Sequence, residues 1–501
     1  MTTVSNLGKI IDPAADRNRL AFIGIDAKLA ETRCTFGELD DLADAVARGL
    51  HKRGYSQGDR IAILAANSVE FIAVVLGIMR AGLVAVPINY RFPKELIDYV
   101  ANDSNARLLF CDEQRLALVP QGIAHSLLSR DGLNSLADLA DPGAFEAFAP
   151  RADEPALVLY TSGSTGRPKG VVLSHTAHLW VARTRQETEP LADERVLIAA
   201  PLYHMNALAL SFLALASHAT TVLLWQFSAV PYIRAIDRYR CTWLTAVPPM
   251  IAMMLRERDA LASADLSSVR VIRMGSAPVS KSLLEQVHRM LPNARVMNAY
   301  GTTEAGPIVF AGHPDGRPMP PLTLGYAHPK VKLRLRDESG QESKEGVLEI
   351  KSPALMNRYH NRPELGTVFT PDGYYVTGDV FRLDDDGFYA FVGRRDDMFV
   401  CGGENIYPGE VEAMLERHPA VAQACVVPVD DDIKGQKPVA FVALRAHASA
   451  TEDEIKKFAL EHAAAFQHPR RIWFVDSMPL ASTQKIDRSL LKSEAAARVR
   501  G

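Results

Sequence analysis

The segment YTSGSTGRPKGVVLSH, residues 160–175, combines glycines, hydroxyls and one lysine directly after a run of apolar residues. Glycine lets backbone N–H groups approach an anion closely, and hydroxyls can donate hydrogen bonds to phosphate oxygens. In a Walker loop the lysine follows a glycine directly and precedes Ser or Thr, which is not the case here. We therefore predict a phosphate-binding loop of another type, and prefer it to a flexible linker. Its candidate contacts are Thr161, Ser162, Gly163, Ser164, Thr165, Gly166 and Lys169.

Three acidic or aromatic side chains further along the chain suit a nucleotide. Glu304, in NAYGTTEAG (298–306), is a hard oxygen donor suited to Mg²⁺ bound on phosphate. Tyr300 can stack on a purine, with packing in the core as the alternative. Asp379 closes YYVTGD (374–379) and can accept both hydroxyls of a ribose; taken alone, a solvated turn charge is the better explanation, and the combination with the other motifs favours the ribose.

Two further side chains could contribute to a reaction centre. His204, in PLYHMNA, is on sequence alone more simply an interior histidine, so its role depends on context. Lys485, in STQKIDR (482–488), carries a flexible ammonium group, which can bridge two anionic groups. The alternative is an exposed surface lysine.

The elements around these residues alternate between helix and strand. Residues 36–55 and 70–82 have helical apolar spacing, whereas RIAILAAN (60–67) and LVAVPIN (83–89) predict buried strands. The same alternation returns up to residue 301. Short buried strands that alternate with helices indicate parallel sheets covered on both faces.

From about residue 320 the apolar pattern has period two, with Asp-Gly and Ser-Gly turns, which predicts an antiparallel sheet or small barrel. Beyond it, helices predicted at 411–421 and 451–464 and the strands between them indicate a compact α+β unit. We therefore expect an α/β protein with a large N-terminal domain (1–393), a hinge (394–397) and a small mobile C-terminal domain (398–501).

The composition narrows the class of function. With 56 Lys and Arg against 59 Asp and Glu, the net charge is −3, so no basic field favours nucleic acid or an anionic membrane. Five scattered cysteines give no CxxC metal knuckle and suit a reducing compartment. No signal peptide or membrane span is predicted, so we expect a cytoplasmic protein. The sequence leaves open whether the chain forms a homodimer.

Five motifs occur in one order and at compatible spacing. They are YTSGSTGRPKG, NAYGTTEAG, YYVTGD, GRRDDMFVCGGENIYPGEVE (393–412) and STQKIDR. On these motifs, which span most of the chain, it resembles the adenylate-forming (ANL) superfamily of acyl- and aryl-CoA synthetases, peptide-synthetase adenylation domains and firefly luciferase. The resemblance is strongest toward aryl-CoA ligases of the 4-chlorobenzoate and hydroxycinnamate type.

The resemblance implies a role for each candidate. Lys485 would drive adenylation, Glu304 would hold Mg²⁺, and Asp379 with Arg394 would hold the ribose. His204 would orient the acid. The remaining nucleotide contacts would be Ser276, Ala277, Pro278, Asn298, Ala299, Tyr300, Gly301, Thr302 and Thr303.

The resemblance also implies an acid pocket, and its residues are small or apolar. They fit an aromatic or medium aliphatic acid better than a dicarboxylate. Arg273 could bind a second carboxylate, but strand alternation makes an outward position about equally likely. The expected pocket residues are His204, Met205, Gly275, Ser276, Ala277, Gly301 and Ile308.

In similar enzymes the small domain rotates after adenylation. Asp396 matches the hinge position, and Gly402 and Gly403 would then line a tunnel for the pantetheine arm of CoA. The CoA nucleotide would meet an aromatic and basic segment, with a solvated loop as the alternative. That segment contains Phe466, Arg470 and Arg471.

The expected function is therefore an ATP-, Mg²⁺- and CoA-dependent ligase that forms acyl-AMP and then acyl-CoA, on a benzoate- or hydroxycinnamate-like acid. The alternatives are an aliphatic acyl-CoA synthetase, an adenylating enzyme that serves a carrier protein, a luciferase-like oxygenase and a non-catalytic nucleotide-binding regulator.

Overall fold

The structure is a computed structural model that describes residues 5–161, 167–275, 277, 279, 281–481 and 485–500. Of the predicted site residues, seven lie outside the described residues. They are Ser162, Gly163, Ser164, Thr165, Gly166, Ser276 and Pro278.

Strands and helices alternate through the first 300 residues, and strands dominate the next hundred. The described strands are β1 (Leu20–Ile25), β2 (Glu31–Thr35), β3 (Arg60–Leu64), β4 (Val84–Pro87), β5 (Ala106–Cys111), β6 (Ala124–Leu127), β7 (Pro155–Thr161), β8 (Lys169–Ser174), β9 (Arg195–Ile198), β10 (Thr220–Leu224), β11 (Trp243–Ala246), β12 (Val271–Gly275), β13 (Arg295–Ala299), β14 (Phe310–Ala311), β15 (Thr323–Ala327), β16 (Lys332–Arg336), β17 (Glu345–Lys351), β18 (Arg358–Tyr359), β19 (Tyr375–Leu383), β20 (Tyr389–Arg394), β21 (Phe399–Cys401), β22 (Glu404–Ile406), β23 (Val421–Asp431), β24 (Gly435–Leu444) and β25 (Ile472–Phe474).

The described α-helices are α1 (Phe36–Lys52), α2 (Val69–Arg80), α3 (Lys94–Asp103), α4 (Leu136–Leu139), α5 (His175–Thr188), α6 (Met205–Ala216), α7 (Ala229–Tyr239), α8 (Pro248–Met254), α9 (Arg258–Ser263), α10 (Lys281–Met290), α11 (Pro408–Leu415), α12 (Glu452–His462) and α13 (Arg488–Arg500).

Two seven-stranded sheets form the scaffold of the N-terminal part. The first has the order β13-β12-β11-β9-β10-β1-β2 and is parallel except for β2 at its edge. The second has the order β18-β8-β7-β4-β3-β5-β6, and its β8 and β18 are antiparallel to their neighbours. In such sheets a ligand site is expected at the carboxyl ends of the strands, and the loops after β7, β12 and β13 carry the predicted motifs.

Side-chain alternation arranges these sheets in layers. In β1, Phe22 packs into a core shared with α1, α2, α5 and α6, while Ile23 packs on the opposite face with α7 and α8. In β3, Ile61 joins the shared core and Ala62 packs toward α3. The four helices of the shared core therefore lie between the two sheets, and the other helices cover the outer faces.

The third sheet is antiparallel throughout, in the order β14-β15-β20-β19-β17-β16. It contributes Leu348, Ile350 and Phe381 to the shared core, so it is packed firmly against the first two sheets. This packing fixes the position of Asp379, in the middle of β19, and of its register partner Arg394 at the end of β20.

The C-terminal part is a separate sheet, β22-β21-β24-β23, with β25 parallel to β24. Its alternate residues pack on two sides. Val426 packs into the core formed with α11 and α12, whereas Cys425 and Val427 pack against α13.

All five cysteines of the chain are buried, and none forms a disulfide.

The predicted fold class is confirmed: parallel α/β units, an antiparallel sheet and a small C-terminal α+β unit. One predicted boundary is wrong. The helix predicted at 411–421 occupies Pro408–Leu415, because proline at the first helical position starts it early and β23 begins at Val421.

Among the described helices, none has the length and hydropathy that crossing a membrane requires.

Candidate active site

Lys485 lies at the centre of a group of charged side chains contributed by distant parts of the chain. It is held in a short turn, because Ala481 N donates to its carbonyl oxygen at 2.7 Å. Protein atoms around it lower the pKa of Lys485, although part of the side chain stays exposed, and the negative charges of Asp379 and Glu304 oppose that shift. The C-terminal part therefore delivers its lysine to the cleft of the N-terminal part.

Asp379 is the buried anion of the site, with 5% of its surface exposed. Burial raises the pKa of this carboxyl group, and three groups oppose the shift: the positive charge of Arg394, a hydrogen bond from the Tyr300 hydroxyl and the positive charge of Lys485. Arg394 Nη1 lies 3.3 Å from Asp379 Oδ1. The buried carboxylate is thus paired with donors on Arg394 and Tyr300 inside the protein.

Tyr300 is half-buried, and its ring packs against Phe310 and Phe381 at centroid distances of 5.8 and 5.0 Å. The hydroxyl is occupied by Asp379. The ring therefore packs against the core, which was the alternative considered for Tyr300, and stacking on a purine stays a prediction. Its neighbours Asn298 and Ala299 end β13 and are also half-buried.

Glu304 is positioned by two contacts that the local sequence does not reveal. Met356 N donates to its carbonyl oxygen at 2.7 Å, and the Tyr359 hydroxyl donates to its Oε1 at 2.9 Å. The ammonium group of Lys169 lies 5.8 Å from the centroid of the Tyr359 ring. Tyr359 thus links the carboxylate proposed for the metal to the lysine at the end of the predicted phosphate loop.

The phosphate loop joins two antiparallel strands, because Thr161 at the end of β7 is the register partner of Lys169 at the start of β8. Residues 162–166 lie outside the described residues, so the structure gives only the two ends of the loop. The strand β8, which starts at Lys169, pairs on its other edge with β18, which carries Tyr359.

The turn 300–306 is tight for a clear reason. A Cβ at Gly301 would lie 2.7 Å from the carbonyl oxygen of Gly306, and Gly306 has a φ of +76°. Thr302 holds the turn, since its Oγ1 accepts a hydrogen bond from Ala305 N at 3.0 Å. Thr303, beside Thr302, is half-buried.

His204 caps α6 without a side-chain hydrogen bond to the helix, and its buried Nε2 has no partner among the described residues. Burial, with smaller contributions from the positive charges of Lys485 and Arg91, lowers the pKa of His204 to about 3. The imidazole is therefore neutral at physiological pH, and the effect of Lys485 on it shows that the two groups are neighbours.

The predicted acid-pocket residues lie at the start of α6, at and after the end of β12, and in the segment that follows β13. Met205 starts α6 and is buried, while Gly275 ends β12, in register with Ala299. Ile308 is buried in the shared core, and Ala277 is half-buried.

The predicted CoA residues lie apart from this group. Gly402 and Gly403 form an exposed turn between β21 and β22 with φ of +62° and +91°, and Gly402 N donates to Lys434 O at 3.0 Å. Arg470 contacts His468 before β25, and Arg471 Nη1 lies 3.8 Å from a carboxylate oxygen of Glu452.

The remaining predicted residues of the C-terminal part are also placed. Phe466 packs against the core of that part. The hinge candidate Asp396 is exposed in a 3-10 helix, Arg395–Asp397, that directly follows β20.

Residues 12–360 match the family described as AMP-binding enzyme, and residues 410–485 match the AMP-binding enzyme C-terminal domain. The chain belongs to this family. The predicted membership of the adenylate-forming superfamily, in its acyl- and aryl-CoA synthetase branch, is confirmed.

Similar proteins match along nearly the full length of this AMP-binding enzyme. It is 33% identical to 4-coumarate–CoA ligase 5 of Oryza sativa subsp. japonica, over 97% of this chain and 94% of the relative. It is 32% identical to a feruloyl-CoA synthase of Amycolatopsis sp, over 91% and 92%. The solved structure of the anthranilate CoA ligase AuaEII with anthranoyl-AMP has a TM-score of 0.90 and 25% identity, over 100% and 99% of the two chains.

Removing the hydroxyl of Tyr359 tests its link to Glu304. In this AMP-binding enzyme, Tyr359→Phe is expected to lower kcat for adenylation about tenfold or more, because a hydrogen bond to a charged group is lost. Tyr389→Phe, in the aromatic cluster with Phe310, is the matched control and should change the rate little. Equal rates for Tyr359→Phe and wild type, in single-turnover acyl-AMP formation, would contradict the positioning role.

The lowered pKa of Lys485 predicts a pH dependence. The ammonium form is the active one, so kcat/KM for adenylation should fall as pH rises through a pKa below the ordinary value of 10.5. Lys485→Arg should have lower activity, but its activity should not fall at high pH, because the guanidinium stays protonated. A fall at the same pH in both proteins would show that another group titrates.

Proposed function

We propose that this AMP-binding enzyme is an acid–CoA ligase that converts an aromatic carboxylic acid, ATP and CoA into acyl-CoA, AMP and pyrophosphate through an acyl-AMP intermediate. The observation that carries the proposal is the convergence of Lys485 with Asp379, Glu304 and His204. Relatives named as coumarate and feruloyl ligases and a neighbour with bound anthranoyl-AMP support an aromatic acid.

In the first step a carboxylate oxygen of the acid attacks the α-phosphorus, and the bond from that phosphorus to the pyrophosphate oxygen breaks. Both reactants are anions, so their approach requires positive charge between them. Lys485 supplies it from the C-terminal part, while Asp379 and Arg394 fix the ribose and hence the direction of the α-phosphate. Placement of the reactants and charge stabilisation account for the catalysis.

His204 holds the acid rather than exchanging protons with it. Its pKa of about 3 keeps the imidazole neutral, and a neutral ring offers one N–H donor. The Nε2 atom has no partner among the described residues, and Lys485 is near enough to affect the imidazole, so we place the acid carboxylate between these two groups during attack. A neutral donor orients the carboxylate without forming an ion pair that would reduce its nucleophilicity.

Mg²⁺ would be held by Glu304 together with phosphate oxygens of ATP. The residues fit, because Mg²⁺ prefers one or two carboxylates plus substrate phosphates to an all-protein cage. The hydrogen bond from Tyr359 uses Oε1 of Glu304 and leaves the second oxygen for the metal. When bound, the ion neutralises charge on the phosphates, and Lys169 adds a positive charge beside it.

In the second step the thiol of CoA attacks the carbonyl carbon of acyl-AMP, and AMP leaves. The exposed turn at Gly402 and Gly403 has no described contact with the Lys485 group, so its use requires a rotation of the C-terminal domain. We propose a hinge at residues 394–397 between domains 1–393 and 398–501, with Phe466, Arg470 and Arg471 meeting the CoA nucleotide. The 3-10 helix Arg395–Asp397 between the last strand of one sheet and the first of the next supports this location.

The cellular compartment of the enzyme is inferred from its cysteines, and its oligomeric state from the residues of its site. Five buried thiols without a disulfide support a reducing compartment, which for this enzyme we take to be the cytoplasm. Every residue assigned to the first step lies in one chain, so a monomer suffices for it and a homodimer is an additional possibility.

A panel of benzoates, cinnamates and aliphatic acids, each supplied with MgATP and CoA, tests the reaction by mass detection of acyl-CoA. We expect the highest kcat/KM with an aromatic acid. A preference for aliphatic acids would overturn the substrate class. A product formed only with a phosphopantetheinylated carrier protein would assign the second step to another acceptor.

Lysine replacement separates the two steps. Lys485→Ala should lower the rate of acyl-AMP formation about a hundredfold or more, because charge stabilisation of this size is lost, while thioester formation from supplied acyl-AMP changes far less. The neighbouring Lys492→Ala is the control on the same segment. Equal losses in both half-reactions would contradict the proposed role of Lys485.

A proline at the hinge tests the rotation. Asp396→Pro fixes φ near −65° at this position, so acyl-AMP should still form but acyl-CoA formation from supplied acyl-AMP should fall at least about tenfold. Asp396→Ala keeps backbone freedom and serves as the control. Unchanged overall turnover in Asp396→Pro would remove the hinge from the mechanism.

A further inference from the structure

Arg273 is a buried cation on the strand that leads into the acid pocket. It is 9% exposed and lies in β12, two residues before Gly275. Its neighbours Ile272 and Met274 pack outward with α7 and α8, whereas Val271 packs on the shared core. Because strand side chains alternate, Arg273 faces the inner layer with Val271 and Gly275, which decides the question that the sequence left open.

A row of residues extends across the sheet on this face. Thr245 and Met297 are the register partners of Arg273 on the two neighbouring strands, and side chains directly opposite each other share a face. Asn206, at the start of α6 and two residues after His204, has its Oδ1 3.5 Å from the hydroxyl of Thr245. The row is therefore connected to the imidazole that holds the acid.

Helix α5 contacts the turn 300–306, which carries part of the predicted acid pocket. A Cβ at Gly306 in that turn would lie 3.6 Å from Cγ2 of Val181 on α5. Arg185 follows one helical turn later and is buried. Arg185 lies one helical turn beyond Val181, and Arg273 lies two strand residues before Gly275. Each arginine is therefore about 5–7 Å further along its element than the residue next to the predicted acid pocket. That offset suits the far end of an aromatic acid whose carboxylate lies at His204.

The charges in this region do not balance. Glu189 is the carboxylate that faces both guanidinium groups, and its Oε2 accepts from Arg185 Nη2 at 2.7 Å and Nε at 3.2 Å. Within the described residues no carboxylate oxygen lies within 4.0 Å of Arg273, although Glu189 acts on it at longer range. The undescribed positions 1–4, 162–166, 276, 278, 280, 482–484 and 501 contain no Asp or Glu.

Burial and the like charge of Arg185 lower the pKa of Arg273 to about 10, so the guanidinium is still charged at neutral pH. Two buried cations thus share one anion. A buried charge without a close counter-ion is unfavourable unless a ligand supplies one.

We propose that Arg273 binds a second negatively charged group at the far end of the substrate acid, so that the preferred substrate is an aromatic acid with a distal carboxylate or a group of similar charge. This inference rests on the proposed function, because it assumes that the first carboxylate is activated at His204. It also reverses the expectation from sequence that a dicarboxylate fits less well.

Matched pairs of acids test the proposal on the wild-type enzyme. Terephthalate is compared with para-methylbenzoate, and para-carboxycinnamate with para-methylcinnamate, by acid-dependent pyrophosphate release. At least one carboxylated member should exceed its methyl partner about tenfold or more in kcat/KM, mainly through a lower KM for the acid. A methyl partner that equals or exceeds its carboxylated counterpart in both pairs, or rejection of both carboxylated acids, would overturn the proposal.

Replacement of the arginine assigns the preference to a residue. Arg273→Met should remove the tenfold preference while the KM for ATP and the rate with the methyl acids persist, and Arg273→Lys should retain part of it. Arg295→Met is the matched control, since Arg295 is exposed on β13 and also acts on Glu189. An unchanged preference in folded Arg273→Met would contradict the assignment. Absence of pyrophosphate release with every acid, charged or not, would instead refute the proposed ligase function.

Discussion

Two anions must meet in the first step of the proposed reaction, and we assign the positive charge that allows it to Lys485, near the far end of the chain. Lys485 lies in a turn of the C-terminal part and reaches Asp379 and Glu304, which belong to the N-terminal part. The position of the ammonium group therefore depends on the docking of one sheet against the others. An enzyme built in this way can withdraw the charge after the first step by moving the small domain, which frees the space that a thiol needs.

The helices that lie between the two large sheets place a second constraint on the active site. Helices α5 and α6 lie between the two large sheets, so groups on them are held by packing on both sides. Burial lowers the pKa of His204 at the start of α6 to about 3, so this imidazole stays neutral. The pKa of Arg273 on β12 is lowered to about 10, so this guanidinium stays charged at neutral pH. On the two proposals above, the acid is held between a neutral donor at one end and positive charge at the other, and this polarity selects the carboxylate that meets ATP.

Most of the fold and the motif residues could be predicted, because periodicity and motif order are local properties of the sequence. The buried strands at 60–67 and 83–89 and the period-two region after 320 are examples. The motifs also named Asp379, Glu304 and Lys485, which interact electrostatically in the structure and whose roles stay predictions. Tyr359 was missed because its role depends on the pairing of β18 with β8, and on a partner 55 residues away along the chain. The direction of Arg273 was undecided because alternation gives two faces, and only packing shows which is internal.

Acid-dependent exchange of radiolabelled pyrophosphate into ATP, without CoA, is the most direct test of the central claim that the closed arrangement around Lys485 makes an acyl-adenylate. The account predicts exchange with at least one aromatic acid, with no exchange when the acid or Mg²⁺ is omitted. If folded enzyme supported no exchange with any acid of a broad panel, the convergence of these side chains would have another purpose and the account would be wrong.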